Sequence, residues 1–469
     1  MSNILATLSS TASSFSAYEQ ALEVVSNDTT NSTTPGYANQ SVDFQANSFD
    51  PAGGGGGAGG VTLGPDQSSR DAYAEYNVQS AQTELNYSST LASQLQAIEP
   101  LFDLQTSSGS DSGVGGTLNQ LFSSFSQLSV NPNDSSYRQA VLNAAGNMAT
   151  AFNAASNGLS SAANTAESDA QSTVSSINSL LGQIQQINAQ KEQNSAAASD
   201  PGIDAQLYSD LENLSQLVNF TTTTSSDGET NIYLGGQQPL LVGGHQYSLG
   251  TSTANGQMEI LDAGGNDISS FVTGGTLGGL VKLTNTLIPG YQNEMNQLAQ
   301  GVADTVNSQL TSGTYQDASG TTQPGVALFT YNSTAAAKTL ALTSITATQL
   351  AAASSANPGG NDNAVALTNL QTAAIPTLSN VTFAEYYGTI GSNVGSDSAQ
   401  AQNDQTTQQQ LLSQAQTLRS NISGVSLDQE ATLMTEYQTS YDAISKLVSI
   451  LQSVVETVLD LIPLPGTTP

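Results

Sequence analysis

Apolar residues at both ends of the chain recur with the alternating three- and four-residue spacing of an amphipathic helix. The N-terminal row is Ile4, Leu8, Thr11, Phe15, Tyr18, Leu22 and Val25. The C-terminal row is Leu433, Tyr437, Ser440, Ile444, Leu447, Leu451, Val454, Val458 and Leu461. A second C-terminal row beside it is Met434, Tyr441, Val448, Val455 and Ile462. The C-terminal helix therefore presents an apolar face wide enough for more than one partner.

The pattern predicts a C-terminal helix over 427–461, which ends before Pro463. The first helix is expected to end in the turn-rich segment Asn27–Gly36. The two apolar rows allow two interpretations. They can form the core of a helical bundle, or both ends can belong to one coiled-coil layer, and the spacing does not choose between them.

Between the ends, long periodic segments predict helices over 71–104, 117–129, 135–193, 203–218, 277–310 and 383–422. The segment 220–271 has a run of Thr, Gly pairs and short apolar pieces, which predict β-hairpins. We expect a short strand at Val42–Phe44, a Gly-rich loop at Gly53–Gly60 and another loop at 352–363. The expected fold is mainly α, with long helices, terminal coiled-coil segments and a small β-hairpin-rich insertion.

Charge is scarce and one-sided in this 469-residue chain. There are 7 Lys and Arg against 38 Asp and Glu, a net charge of −31, and charged residues make up 10%, where a soluble domain averages about 25%. Seven scattered basic residues cannot form a stripe that binds nucleic acid or an anionic membrane. No run of about 18 apolar residues suggests membrane insertion.

Candidate catalytic chemistry is weak. With no Cys and one His, thiolate and multi-His metal sites are excluded. His245 is expected in a surface loop, because no nucleophile-elbow motif accompanies it. Gly109–Gly116 lacks the Lys of a P-loop and is expected to be a linker, and Asp262, Asn266 and Asp267 lack the spacing of a calcium loop. We therefore expect no enzyme, cofactor or metal.

Localisation signals conflict at this point. The first basic residue is Arg70, so no cleaved secretory signal is expected. However, the abundance of Ser, Thr, Asn and Gly with little charge is typical of an exported surface protein.

Residues 26–40, S-N-D-T-T-N-S-T-T-P-G-Y-A-N-Q, resemble the signature S-N-N-I-x-N-x-N-T-P-G-Y-x-R-Q of flagellar axial proteins, which rod, hook and hook-associated subunits share. The chain departs from this signature at Asp28, Thr29, Thr33 and Asn39. The matching residues include Ser26, Asn27, Asn31, Pro35, Gly36, Tyr37 and Gln40.

Residues 423–430, S-G-V-S-L-D-Q-E, are similar to the S-G-V-N-L-D-E-E motif of the hook-associated protein 1 (FlgK) family. Tyr437, Gln438 and Tyr441 fit the aromatic pattern that follows it, and segments 210–218 and 275–280 resemble internal family patterns. Larger relatives carry a β domain between the positions of Phe329 and Asn363, which indicates a minimal form here. The matching motif residues are Ser423, Gly424, Val425, Leu427, Asp428 and Glu430.

The resemblance implies a structural subunit in the adaptor ring that joins the flagellar hook to the filament. It implies export of the unfolded chain through the flagellar type III channel, without a cleaved signal peptide, and folding of the termini on assembly at the extracellular hook–filament junction. The implied partners are the hook protein, the third hook-associated protein on the filament side, further copies of this chain and an export chaperone. The alternatives are another axial protein (the hook protein or the third hook-associated protein) or an exported acidic coiled-coil adhesin.

We expect an axial helix and extended arm (1–65) that packs with a C-terminal axial helix (425–469). Between them we expect a helical core (66–219), a β-rich insertion (220–274) and further helical core (275–424) with a loop at 330–363. Pro35, Gly36 and Tyr37 are expected to shape a turn. Candidate subunit contacts, for which ordinary intramolecular core is the alternative, are Ile4, Leu8, Phe15, Leu22, Val25, Leu433, Tyr437, Ile444, Leu447, Leu451, Val458 and Leu461. An acidic habitat, in which protonation would reduce the self-repulsion of the chain, is a further hypothesis.

Overall fold

A computed structural model describes residues 2–48, 59–102, 113–194, 197–254 and 256–460. Within them the architecture is mainly helical, which confirms the expected fold class. The helices are α1 (Ser2–Asn31), α2 (Ala72–Ile98), α3 (Gly113–Val130), α4 (Ser135–Gln193), α5 (Pro201–Leu217), α6 (Gly275–Lys282), α7 (Ile288–Ser312), α8 (Ala336–Thr339), α9 (Asp362–Asn369), α10 (Phe383–Ser423) and α11 (Leu427–Asp460).

The strands are short and pair only with antiparallel neighbours. They are β1 (Gln40–Ser41), β2 (Phe44–Ala46), β3 (Val61–Leu63), β4 (Gln67–Ser68), β5 (Phe220–Thr224), β6 (Thr230–Leu234), β7 (Gln238–Val242), β8 (His245–Gln246), β9 (Gly250–Ala254), β10 (Gln257–Leu261), β11 (Gly313–Gln316), β12 (Thr322–Pro324), β13 (Phe329–Thr330), β14 (Ala341–Leu342) and β15 (Ala353–Ser354). Strands β5 to β8 form one sheet in chain order, and β12, β11 and β15 form another. The remaining pairs are β1 with β4, β2 with β3, β9 with β10 and β13 with β14.

The main core surrounds α4. Asp134 caps the N-terminus of this helix by accepting a 2.7 Å hydrogen bond from the backbone N–H of Ser136. Its inner face carries apolar or small residues at helical spacing, and these pack against α3, α5, α6 and α8. Phe125, Phe152 and Phe383 are fully buried in this core.

Helices α2 and α10 run antiparallel along each other. Their register is visible in the contacts of Glu75 with Arg419 and of Ser89 with Gln405, since one residue number falls as the other rises. A small apolar cluster is buried between the two helices; it contains Val78, Leu85 and Leu412. This pair carries the chain from the main core to the terminal helices.

Helix α1 continues further than the sequence pattern suggested. The expected break at Asn27–Gly36 was wrong for its first half, because α1 ends only at Asn31. The hydroxyl groups of Thr29 and Thr30 donate to the carbonyls of Val25 and Ser26, each at 2.8 Å. These bonds satisfy the polar side chains within the helix, so the turn begins only after residue 31.

Three other expectations about local structure need correction. The strand expected at Val42–Phe44 is replaced by β1 and β2 on either side of residues 42 and 43. The loop expected at 330–363 contains α8, β14 and β15. Of the linker expected at 109–116, residues 113–116 begin α3, and the rest lies outside the described residues.

The single helix expected over 277–310 is interrupted. Residues Leu283–Leu287 form a π-helical turn between α6 and α7. Pro289 follows at the start of α7 and has no backbone N–H for an ordinary helical bond, which accounts for a wider turn at this point.

Candidate functional site

The two ends of the chain meet as an antiparallel helix pair. Along α1 and α11, Phe15 lies against Tyr441 with ring centroids 4.3 Å apart, and Tyr18 lies edge-on to Tyr437 at 6.1 Å. Phe44 from β2 packs beside both Tyr18 and Tyr437, at 4.9 and 5.6 Å. The extended arm therefore covers part of the helix pair with an aromatic cluster.

The candidate contact residues differ in burial within this pair. Val25 is buried, whereas Leu447 is 45% exposed. Ile4 belongs to α1, but its side chain, like all of Leu461, lies outside the described residues. The half-buried members are Leu8, Phe15, Leu22, Leu433, Tyr437, Ile444, Leu451 and Val458.

The buried face of α1 consists mostly of small side chains, of which only Thr11 belongs to the N-terminal row predicted from the sequence. It contains Thr11, Ser14, Ala17 and Ala21. The hydroxyl of Ser14 also accepts a 2.9 Å hydrogen bond from the backbone N–H of Val61. Small residues therefore let both α11 and the β2–β3 ribbon approach α1 closely.

Part of the apolar surface of α11 is exposed. Leu447, Ile450 and Val454 are 45%, 60% and 42% exposed, and their spacing places them on one face. Nothing in the described part of this chain covers that row. Helix α10 also exposes Leu411, Leu418 and Ile422.

The terminal helices are joined by a polar cluster around Asp28, which is fully buried. Its carboxylate accepts hydrogen bonds from the Tyr37 hydroxyl, from the Asn39 side-chain amide at 2.9 Å and from the backbone N–H of Gln40 at 2.9 Å. The same Asn39 amide also donates to Oε1 of Glu430 at 2.9 Å. The N-terminal and C-terminal motifs, 391 residues apart in sequence, therefore meet at Asn39.

Burial dominates the electrostatics of this cluster. It raises the pKa of Asp28, although the bonds from Tyr37 and Gln40 act in the opposite direction and the charge of Asp66 adds to the rise. Burial also raises the pKa of Glu430, and the neighbouring charge of Asp28 raises it further. Both carboxyl groups therefore hold a proton more tightly than an exposed acid does.

Ser423 fastens α10 to the arm. Its hydroxyl donates to the carbonyl of Ser69 at 3.0 Å and accepts from the N–H of Asp71 at 3.2 Å, while its own carbonyl accepts from the N–H of Asn39 at 2.9 Å. The remaining motif residues take less part in this contact. Ser26, Asn27, Pro35, Gly424, Leu427 and Asp428 are exposed, and Asn31, Gly36 and Val425 are half-buried.

The turn after α1 docks onto α5. Gly36 has a φ of +74°, and a Cβ atom there would lie 2.2 Å from the carbonyl oxygen of Ala205, so only glycine fits. The carbonyl of Gly36 accepts a 2.6 Å hydrogen bond from Arg70, whose guanidinium stacks 3.8 Å from the ring centre of Tyr208. Arg70 thus ties the turn to the helical body.

An ion-pair network continues from Arg70 into the body. Arg70 pairs with Glu75 at 2.6 Å and with Asp204 at 2.8 Å, and Arg419 pairs with Glu75 at 3.2 Å and with Glu212 at 2.8 Å. Sequence reasoning used the rarity of basic residues only to exclude partners. The same rarity also indicates that the few basic residues pair with buried acids, because few cations are available to neutralise those acids.

The described residues contain no group of three His, Cys, Asp or Glu side chains placed to hold a metal ion. Asp262, considered above for calcium, instead accepts hydrogen bonds from the backbone N–H groups of Gly264 and Asn266, at 2.8 and 2.9 Å, within a turn. His245, which was expected in a surface loop, is exposed but lies in the short strand β8. No helix among the described residues is long and apolar enough to cross a membrane.

Comparison with known proteins places these features in a family. Residues 103–329 match the family model described as the flagellar hook-associated protein FlgK helical domain. Residues 414–461, which include α11, match the model of the flagellar basal body rod FlgEFG protein C-terminal region. The first model covers just under half of the chain. These matches support assignment of the chain to the FlgK family.

Individual relatives agree with this membership. Flagellar hook-associated protein 1 of Bacillus subtilis (strain 168) is 24% identical over 491 aligned positions, covering 95% of this chain and 96% of the relative. The protein of the same name from Salmonella typhimurium is 25% identical over 313 positions, covering 64% of this chain and 56% of the relative. The flagellar hook junction protein FlgK from Burkholderia pseudomallei shares the fold, with a TM-score of 0.63 at 18% identity, covering 73% of this chain and 99% of that structure. These findings confirm the resemblance inferred from the motifs.

Proposed function

We propose that this FlgK-family chain is a structural subunit of the bacterial flagellum that joins the hook to the filament. The exposed apolar row of Leu447, Ile450 and Val454 on α11 carries the proposal, because it extends an existing helix pair and offers neighbouring subunits a surface to bury. The match to the FlgK helical-domain model and the similarity to flagellar hook-associated protein 1 and to the flagellar hook junction protein FlgK support this role. No catalytic role is proposed.

The finer parts of the proposal concern partners and export. The chain forms a ring with further copies of itself, between the hook protein and the third hook-associated protein. An export chaperone delivers it unfolded to the flagellar channel without a cleaved signal peptide, and its terminal helices reach their final packing on assembly outside the cell. Repeated head-to-tail contacts suit such a ring or helical assembly.

The exposed row provides the direct test. In a strain that lacks the chromosomal copy, Ile450→Asp should abolish filament attachment and motility, because a charge would be buried at the subunit contact. The free energy of unfolding of the free subunit, measured by thermal denaturation, should stay within about 0.5 kcal/mol of the wild-type value, since Ile450 is exposed there. Ser449→Asp adds the same charge to the same helix outside the row, and should retain motility.

Immunolabelling separates the junction role from the alternatives. We expect one narrow band of label at the boundary between hook and filament. Label along the whole hook, along the filament or over the cell surface would refute the junction role and favour the hook protein, a filament component or an adhesin.

A further inference from the structure

The contact between the terminal helices holds two buried carboxylates with a single neutral amide between them. Nδ2 of Asn39 lies 2.9 Å from Oδ2 of Asp28 and 2.9 Å from Oε1 of Glu430, so these two oxygens are at most twice that distance apart. Asp28 is 0% and Glu430 is 2% exposed. Two negative charges so close together and away from water repel strongly.

The other titratable groups around this pair do not relieve the repulsion. Asp66, from the segment between β3 and β4, adds a further negative charge near Asp28. The hydroxyl of Tyr37 donates a hydrogen bond to Asp28. Tyr437 lies near Glu430, about two helical turns further along α11. Both phenols are neutral at ordinary pH, because burial and the nearby acids raise their pKa values.

The nearby cation is occupied elsewhere. Arg70 reaches the carbonyl of Gly36 in the adjacent turn, but its charge is paired with Glu75 and Asp204. Within the described residues, neither carboxylate of the pair forms an ion pair with a Lys or Arg.

The side chain between the two carboxylates is a neutral amide. An arginine in that place would neutralise them with charge-assisted hydrogen bonds. With Asn39 there, a proton is the available compensating charge.

We propose that Asp28 and Glu430 form a proton-dependent lock between the terminal helices, closed when the pair holds a proton and loosened when both acids are ionised. The lock concerns the free subunit, so it goes beyond the proposed role at the hook junction and does not depend on it. Such a lock would be closed at low pH, which agrees with the hypothesis of an acidic habitat.

The sign of the pH dependence follows from linkage. The folded state raises the pKa of both acids, so between their ordinary values and the raised values it binds more protons than the unfolded state does. The local stability of the contact therefore falls as the pH rises through that window. An acid whose pKa is lowered by a buried ion pair would behave in the opposite way.

The test is hydrogen exchange of the full chain, read at the backbone amides of Asn39 and Gln40 and corrected for intrinsic exchange rates. For the wild type we expect protection to fall at least about tenfold from about pH 4.5 to about pH 7.5, because the folded state loses its extra bound proton over this range. Glu430→Gln keeps an acceptor for Asn39 but removes one of the two titrating acids, so it should clearly reduce this fall. Glu23→Gln removes an exposed charge from α1 and should leave the fall unchanged, which controls for the general negative charge of the chain.

Asn39→Arg provides the decisive comparison. A guanidinium between the two carboxylates should reverse the trend, so that protection rises with pH. Protection in the wild type that is constant or rises with pH would overturn the proposal, and so would an unchanged fall in Glu430→Gln. Hydrogen exchange of the free chain tests the lock, whereas motility and immunolabelling test the junction role. Either proposal can therefore fail without the other.

Discussion

Side-chain amides connect helices to strands, or in one case to the residue just before a strand, in the body of this protein. In each of four contacts, one asparagine on or near a helix donates to the carbonyl and accepts from the N–H of a single backbone residue, at 2.8 to 3.0 Å. The carboxamide thus supplies the donor and the acceptor that a neighbouring strand would otherwise provide, without burying a charge. The pairs are Asn178 with Leu249, Asn188 with Thr230, Asn285 with Met258 and Asn307 with Phe329.

Asn188 is the most buried of these amides, at 1% exposure, and it allows a direct test. Asn188→Asp should lower the free energy of unfolding at neutral pH by about 2–4 kcal/mol, because it removes the donor to Thr230 and buries a charge. Urea denaturation measures the change. Asn143→Asp makes the same substitution at an exposed position of α4 and should have an effect below about 0.5 kcal/mol. Equal losses in both variants would show that the amide contact contributes nothing specific.

At the scale of elements, periodicity predicted the helices well where one face is apolar. The bounds of α4 follow from its capping residue Asp134 and its regular inner face, and α11 follows from its two apolar rows. Periodicity failed where a polar segment is held by tertiary contacts. The end of α1 is the example, since Asp28 is buried among partners from the turn and from α11.

The candidate site was predictable in part for the same reason. The apolar rows and both motifs could be recognised in the sequence, but their meeting at Asn39 depends on a contact across 391 residues that no local pattern encodes. The ion-pair network was missed because pairing Arg419 with Glu75 requires the register of α2 against α10. The small buried face of α1 was missed because Ser and Ala give little hydrophobic signal.

The α2–α10 pair offers a matched comparison of neighbouring residues. Leu412 is 5% exposed in the cluster with Val78 and Leu85, whereas Leu411 is 45% exposed on the same helix. Leu412→Ala should lower the free energy of unfolding by about 2–3 kcal/mol through lost burial and the cavity left behind. Leu411→Ala should change it by less than about 0.5 kcal/mol in the same denaturation experiment. A reversed order would mean that the register described for this helix pair is wrong.

At the scale of the whole molecule, burial is distributed very unevenly. The body contains a continuous apolar core around α4 that includes Phe125, Phe152 and Phe383. Along α11, by contrast, Glu430 is the one fully buried residue among those described. Because apolar burial is the main stabilising term, the terminal pair must be far less stable than the body. A low local stability of this kind suits a segment that completes its packing only against neighbouring subunits.

This contrast predicts the order of amide exchange in the free chain. Amides of α1 and of residues 433–458 should exchange at least about two orders of magnitude faster than those of α4, because the pair can open without disturbing the core. Hydrogen exchange with mass spectrometry on the full chain measures both regions in one sample, so α4 serves as the internal control. In assembled subunits the exchange of the terminal pair should slow toward that of α4, since neighbours would then cover the row of Leu447, Ile450 and Val454. If the terminal helices are as protected as α4 in the free chain, their packing is complete without partner subunits. That result would contradict folding of the termini on assembly.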